Sequence, residues 1–232
     1  MTDTSPIRPV RYWDGTPVPF ITAWSKEAVP PQPLAVIEGR GGVGLGFRDE
    51  ISHIDRRYGA LWMRMPATRG GQPELERVHA LRQPQAMSRL LCQVCGGPTV
   101  GSRLDERTLF LAASADGRPI GEGEVTASPP VHAVCARLAV EHCRPLRRGW
   151  TAALVQYVPI WGVAGLVYDP VTLTPFPRSS SRTGLHDIAF TDTVRLRCTL
   201  AARLLVTLEG VTPVTDLDAL ADEETAVIRA VR

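Results

Sequence analysis

The sequence predicts an α+β protein: a small mixed or antiparallel sheet, a cysteine-containing turn followed by a helix, and helices at the C-terminal end. Three observations support this class. Short runs of β-branched, aliphatic and aromatic residues alternate irregularly with helical patterns, so no βαβ repeat is present. Two pairs of soft metal ligands each have two residues between them. The composition, 44% hydrophobic and 22% charged, is typical of a globular protein.

We divide the chain into three parts. Residues 1–33 combine many prolines with aromatic residues and are predicted to form an extended arm that packs on the body. Residues 34–190 form the α+β body, and its segment 88–145 contains the paired metal ligands. Residues 191–232 are predicted to be helices that pack on the same domain, because apolar residues recur there at helical spacing.

Individual elements follow from local pattern and turn residues. The predicted strands are 34–38, 60–65 and 108–113, with a hairpin formed by 151–158 and 163–168. The predicted helices are 84–91, 129–143, 192–209 and 216–231. Proline opens the first two helices, where its missing N–H is tolerated. Gly210 supplies the stop for the third.

The most informative motif is Cys92-Gln-Val-Cys95, followed by His132-Ala-Val-Cys135. The first pair, with Gly96 behind it, has the form of a zinc knuckle, a tight turn that directs two thiolates to one ion. The second pair is expected in the first turn of a helix, at i and i+3 on one face. These four residues predict a closed, structural zinc site.

Cys143 is the rival fourth ligand. A continuous helix over 131–142 would separate it from Cys135 by about 12 Å along the axis. Such a helix cannot present both sulfurs to one ion, which favours His132. If the helix ended early, the set would be Cys92, Cys95, Cys135 and Cys143.

A knuckle followed by a helix N-terminus resembles the treble-clef arrangement of zinc-binding domains, over about residues 88–145. HNH nucleases share that framework, but their resemblance requires a histidine base soon after the knuckle, and here none occurs before His132. The wider sequence also resembles uncharacterised actinobacterial proteins with similar Cys-Gln-Val-Cys-Gly and Pro-Pro-x-x-x-x-Cys-Ala segments. That resemblance implies no activity.

Two other motifs suggest function more weakly. The pattern GxGxxG begins at Gly39 after a predicted strand, but no helix start follows it, which favours a plain glycine loop over a dinucleotide site. Asp49, His53 and Asp55, with Glu50 among them, could include a general base or a second metal site. The alternative is a solvated loop, neutralised by nearby arginines. Those arginines are Arg48, Arg56 and Arg57.

A basic segment with an indole follows the predicted zinc helix. Arg144, Arg147, Arg148 and Trp150 suit phosphate contact and base stacking. The alternative is a basic helix end with Trp150 in the core. We therefore hypothesise a zinc-stabilised binding protein that recognises nucleic acid or a protein partner here. The second hypothesis is an enzyme for a small polar or anionic substrate that uses the acid and histidine cluster, with zinc as a scaffold.

The sequence also limits where the protein acts. Its net charge of +2 provides no global attraction to nucleic acid, acidic substrates or membranes. No apolar stretch approaches a membrane span, and the first residues, MTDTSP, lack the pattern of a signal peptide. We therefore expect a cytoplasmic protein, where reduced cysteines indicate metal rather than disulfides.

Overall fold

The computed structural model describes residues 7–39, 41–181 and 183–230. Within them the strands are β1 Arg11–Trp13, β2 Thr16–Val18, β3 Thr22–Trp24, β4 Leu34–Gly39, β5 Gly42–Phe47, β6 Arg56–Arg57, β7 Ala60–Trp62, β8 Pro73–Val78, β9 Thr108–Ala113, β10 Val125–Thr126, β11 Trp150–Val155, β12 Ile160–Val167, β13 His186–Ala189, β14 Thr199–Thr207 and β15 Thr212–Val214. The helices are α1 Ser52–Asp55, α2 Arg82–Ser88, α3 Ala133–His142, α4 Thr193–Arg197 and α5 Leu217–Ala230, with a 3₁₀ turn at Leu146–Arg148.

The strands form several small sheets, and this confirms the α+β class. The largest has the order β13-β12-β14-β7-β6, with β10 also paired to β14. All its pairings are antiparallel except that of β14 with β7. A second sheet has the order β15-β11-β9, and two-stranded ribbons are formed by β1-β2, β3-β8 and β4-β5.

Most predicted elements are confirmed, with shifted ends. Strand 108–113 coincides with β9, and strand 34–38 gains one residue in β4. Strand 60–65 stops at Trp62, α2 begins at Arg82, and α3 begins at Ala133 instead of residue 129. The last helix, predicted over 216–231, is α5; residue 231 lies outside the described chain. Within the described part of the chain, none of the helices has the length and the apolar composition of a membrane span.

The predicted helix over 192–209 is wrong. Only α4 is helical there. The chain then continues as β14, which lies between β12 and β7 in the large sheet. Most of β14 is buried, because the sheet is covered on both faces. A strand buried on both sides has a continuous apolar sequence without alternation, so its periodicity does not distinguish it from a buried helix.

The predicted hairpin of 151–158 with 163–168 is also wrong in its pairing. Both strands exist, as β11 and β12, but β11 pairs with β9 and β15, whereas β12 pairs with β13 and β14. The chain leaves one sheet and enters the other between them. The backbone N–H groups of Gln156 and Tyr157 donate to the carbonyl of Glu209 instead of closing a hairpin.

The proline-rich segment packs against the rest of the protein. Strand β3 pairs with β8, and the Phe20 N–H donates to the carbonyl of Val94 inside the Cys92–Cys95 turn. Residues 1–6 of the predicted arm lie outside the described chain. The division into an arm, a body and a C-terminal part stays a prediction.

The sheet β15-β11-β9 lies between two apolar cores. Successive side chains of a strand point to opposite faces. Accordingly, Phe110 of β9 and Val155 of β11 belong to the core of the large sheet. Leu109, Leu111 and Leu154 belong to a second core, which contains the cysteines and the buried faces of α3 and α5. The paired candidate ligands therefore lie in a well-packed interior.

Candidate metal centre

The structure brings the four predicted ligands together. One donor atom from each of Cys92, Cys95, His132 and Cys135 lies within 4.8 Å of every other, so the cluster could hold a metal ion. All four residues are buried, with exposures of 0, 7, 0 and 2% in that order. Cys143 is half-buried at the C-terminal cap of α3 and does not belong to the cluster.

The first pair lies in a tight turn, which we call the knuckle, residues 92–97. The Gly96 N–H donates to the Cys92 carbonyl at 2.8 Å, and the Cys92 N–H donates to the Gly97 carbonyl at 2.7 Å. The Gly97 N–H also donates to the Cys95 sulfur at 3.4 Å. Gly96 has a φ of +73° and packs against the Phe20 ring, so the turn requires glycine at this position.

The second pair lies at the start of α3. His132 is the N-cap residue and has an extended backbone, with φ −68° and ψ 148°. The prediction from Pro129-Pro130, that His132 lies within the first turn, is therefore wrong. Cys135 is the third residue of the helix. Side chains at the N-cap and third positions approach each other, as in a capping box, so the pair still converges.

Backbone hydrogen bonds join the knuckle to the approach to α3. The Gln93 N–H donates to the Pro130 carbonyl at 2.8 Å. The Val131 N–H donates to the Leu109 carbonyl of β9 at 2.9 Å. These bonds fix the distance between two segments that lie about forty residues apart in the chain. The cluster is therefore held by backbone contacts as well as by its four side chains.

A carbonyl group orients the imidazole of His132. Its Nε2 lies 2.9 Å from the Pro98 oxygen, and its Nδ1 lies 3.4 Å from the Cys95 sulfur. A carbonyl only accepts, so in the neutral ring Nε2 carries the proton and Nδ1 directs its lone pair at the cluster. Sequence reasoning missed the role of Pro98, and no motif signals a backbone acceptor.

The four groups perturb one another electrostatically. The pKa of Cys95 lies far below its usual value, because the thiols of Cys135 and Cys92 donate hydrogen bonds to its sulfur. Hydrogen bonding to Cys92 and Cys95 raises the pKa of Cys135. Burial opposes the charged form of His132, but hydrogen bonds to Cys92 and Cys95 raise its pKa to about 11. A cation would replace the shared protons, so metal affinity should fall as the pH falls.

The acid and histidine cluster is held by ion pairs. Arg64 contacts Asp49 at 2.9 Å and the buried Asp55 at 2.7 Å. Arg56 pairs with Glu50 at 2.7 Å. Hydrogen bonds from Arg56 and Arg64 lower the pKa of Glu50 and of Asp55, respectively, which makes both carboxylates weaker proton acceptors.

This arrangement differs from the expected solvated loop. His53 is exposed. Of the three arginines predicted to neutralise the acidic residues, only Arg56 forms an ion pair with another described residue. The main partner, Arg64, follows β7 and was missed, because ion pairs across a turn leave no sequence signature. The geometry gives this cluster a structural role.

The glycine segment is the turn of the hairpin β4-β5, in which Gly39 pairs with Gly42. A strand, not a helix, follows it, so the dinucleotide fingerprint is absent. Arg40, within the segment, lies outside the described chain.

The basic segment after α3 is exposed. Arg144, Arg147 and Arg148 are all solvent-exposed, and none has an ion pair among the described residues. Leu146 and Trp150 pack against the core that contains the clustered cysteines. The indole of Trp150 is half-buried and borders a cleft of about 300 Å³ next to α5. Its role in stacking stays a prediction.

No protein family, curated protein or solved structure matches this chain. The resemblance to treble-clef domains and to actinobacterial proteins therefore stays a prediction. The function has to be argued from the geometry of the chain itself.

Proposed function

We propose that the protein is a zinc-stabilised binding protein, in which zinc has a structural role. The observation that supports this most is the buried set of three sulfurs and one imidazole nitrogen. Three thiolates and one histidine are a common donor set of structural zinc. A tetrahedral ion with Zn–S bonds of about 2.3 Å separates its sulfurs by about 3.8 Å. The donor atoms already lie within 4.8 Å of one another, so small movements would complete the site.

Four protein ligands leave no open position for a substrate, so the zinc would stabilise the fold instead of performing chemistry. It would join the knuckle, the start of α3 and, through Pro98, the segment that leads towards β9. The succession of a knuckle and a helix N-terminus also suits a treble-clef arrangement, with β9 and β10 inserted between them.

We place the recognition surface on the exposed arginines that follow α3, and we infer nucleic acid as the partner. Three guanidinium groups that have no ion pair with any described residue lie within five positions, on a segment anchored by Leu146 and Trp150. Guanidinium groups donate paired hydrogen bonds to phosphate oxygens, and binding of this kind releases counterions. A cytoplasmic location fits the five unpaired cysteines.

The test is a fluorescence-anisotropy titration of a labelled nucleic-acid duplex at several salt concentrations. We expect Arg144→Ala/Arg147→Ala/Arg148→Ala to weaken binding and to reduce the slope of log K against log salt by about 2–3. The control removes three exposed, scattered arginines: Arg48→Ala/Arg178→Ala/Arg229→Ala. Equal loss in the control, or full binding by the first variant, would refute the surface without affecting the zinc site.

A further inference from the structure

An open cleft of about 540 Å³ lies beside the knuckle, on the side of the proline-rich segment. Strand β1, the loop before β8 and helix α2 form its walls. The side chains that matter for its chemistry are Arg11, Phe20, Thr68, Arg69, Arg82 and Gln85. None of them belongs to the metal cluster or to the basic segment after α3.

The cleft has an excess of positive charge. Arg82 is buried and pairs with Glu27, whose two oxygens accept from its guanidinium. Arg11 and Arg69 have no carboxylate partner among the described residues. Three guanidinium groups and one carboxylate therefore leave two uncompensated positive charges. The Nε of Arg82 also has no hydrogen-bond partner in the part of the chain that is described.

The backbone at Arg69 is held in an unusual conformation by its neighbours. Its backbone has a φ of +46°, an unfavourable conformation for a residue with a side chain, and Gly70 and Gly71 continue with positive φ. The Arg69 N–H donates to Glu27 at 2.8 Å, which ties this loop to the Arg82–Glu27 pair. Its guanidinium lies 5.6 Å from the centre of the Phe20 ring. Backbone strain that is maintained by surrounding contacts is frequent at ligand sites.

Repulsion between the arginines of the cleft favours binding of an anion. Burial, followed by the charges of Arg82 and Arg11, lowers the pKa of Arg69. An arginine nevertheless stays protonated at neutral pH. A bound anion would relieve this repulsion.

We propose that this cleft binds the phosphate group of a small phosphate monoester, with Arg11 and Arg69 as its charged partners. A monoester carries close to two negative charges at neutral pH, which matches the two uncompensated guanidinium groups. The Thr68 hydroxyl and the Gln85 amide can supply neutral hydrogen bonds, and the concave shape suits a small molecule. A backbone diester in nucleic acid carries one charge per phosphate and would leave one guanidinium without a partner.

Isothermal titration calorimetry at constant ionic strength tests this proposal, with inorganic phosphate and glycerol 3-phosphate as probes. We expect Arg69→Gln and Arg11→Gln each to weaken binding roughly tenfold or more, as for a lost charge-assisted hydrogen bond. Arg69→Lys should lie between Arg69→Gln and the unaltered protein, because it keeps the charge but loses the paired donors. Arg118→Gln is the control, since its side chain is 76% exposed outside the cleft.

Three results would overturn the proposal. These are no binding of either probe at about 10 mM, equal binding by all variants, and tighter binding of a dinucleotide without terminal phosphate than of glycerol 3-phosphate. Arg11 is exposed on a short edge ribbon, so Arg11→Gln should fold even if Arg69→Gln does not. The variant that lacks Arg144, Arg147 and Arg148 should keep phosphate binding, which separates this site from the proposed nucleic-acid surface.

Discussion

Replacing Cys135 by serine should remove the metal and destabilise the protein, whereas replacing Cys143 by serine should do neither. Both cysteines lie at the ends of α3, within or beside the same helix. Cys135 is 2% exposed inside the cluster, and Cys143 is half-buried outside it. Serine nearly preserves the shape of cysteine, so the loss at Cys135 reports the ligand and not a cavity.

The magnitude follows from loss of the whole ion. Structural zinc binds with about 10–16 kcal/mol of apparent free energy, which at about 10 μM free zinc corresponds to roughly 3–9 kcal/mol of stabilisation. For a chain of 232 residues, each kcal/mol shifts the melting temperature by about 2–4 °C. We therefore expect Cys135→Ser to melt about 10 °C lower or more, and Cys143→Ser to stay within about 2 °C of the unaltered protein.

The assay is differential scanning calorimetry of both variants, with zinc content measured on the same samples. A Cys143→Ser variant that loses zinc, beside a Cys135→Ser variant that keeps it, would refute the ligand assignment. If both variants kept their zinc and their melting temperature, the cluster would not be the site that stabilises the fold.

Two further predictions concern a glycine of the knuckle and the buried carboxylate that pairs with Arg82. Gly96→Ala should cost roughly 3 kcal/mol of unfolding free energy, because its Cβ would lie 2.6 Å from the Phe20 ring. The control is Gly101→Ala, which has the similar φ of +77° but nothing within 4 Å and should cost only about 1 kcal/mol. Equal losses of stability in urea unfolding would contradict this prediction. Burial opposes ionisation of Glu27, but hydrogen bonds from Arg82 and from backbone lower its pKa to about 2 in the folded state, from 4.5. Below pH 4.5 the folded state therefore binds fewer protons than the unfolded state. Ionised Glu27 contributes roughly 3 kcal/mol to the free energy of unfolding above pH 4.5, and this contribution is lost as the pH falls towards 2. In Glu27→Gln, the free energy of unfolding measured in urea should change less with pH over this range.

The meeting of the four candidate ligands could be predicted because the signal lies in two short segments. Two residues between Cys92 and Cys95 suit a tight turn, and the spacing of His132 and Cys135 suits a helix start. Even the choice of His132 over Cys143 followed from helix length. What the spacing did not indicate was the N-cap position of His132, since proline favours a helix start without determining where it lies.

The errors occurred where distant segments decide the structure. Residues of β14 have an apolar pattern that suits a helix, and only their position between β12 and β7 makes them a strand. The same holds for β11, whose partners are β9 and β15 and not its neighbour in sequence. The cleft near Phe20 also depends on long-range contacts, because Arg11, Arg69 and Arg82 come from three separate segments.

X-ray absorption at the zinc edge, together with the zinc content of the purified protein, tests the central claim most directly. We predict one zinc per chain, surrounded by three sulfurs at about 2.3 Å and one nitrogen at about 2.0–2.1 Å. Protein without zinc even after addition of the metal, or zinc bound mainly by oxygen, would contradict a structural site formed by Cys92, Cys95, His132 and Cys135.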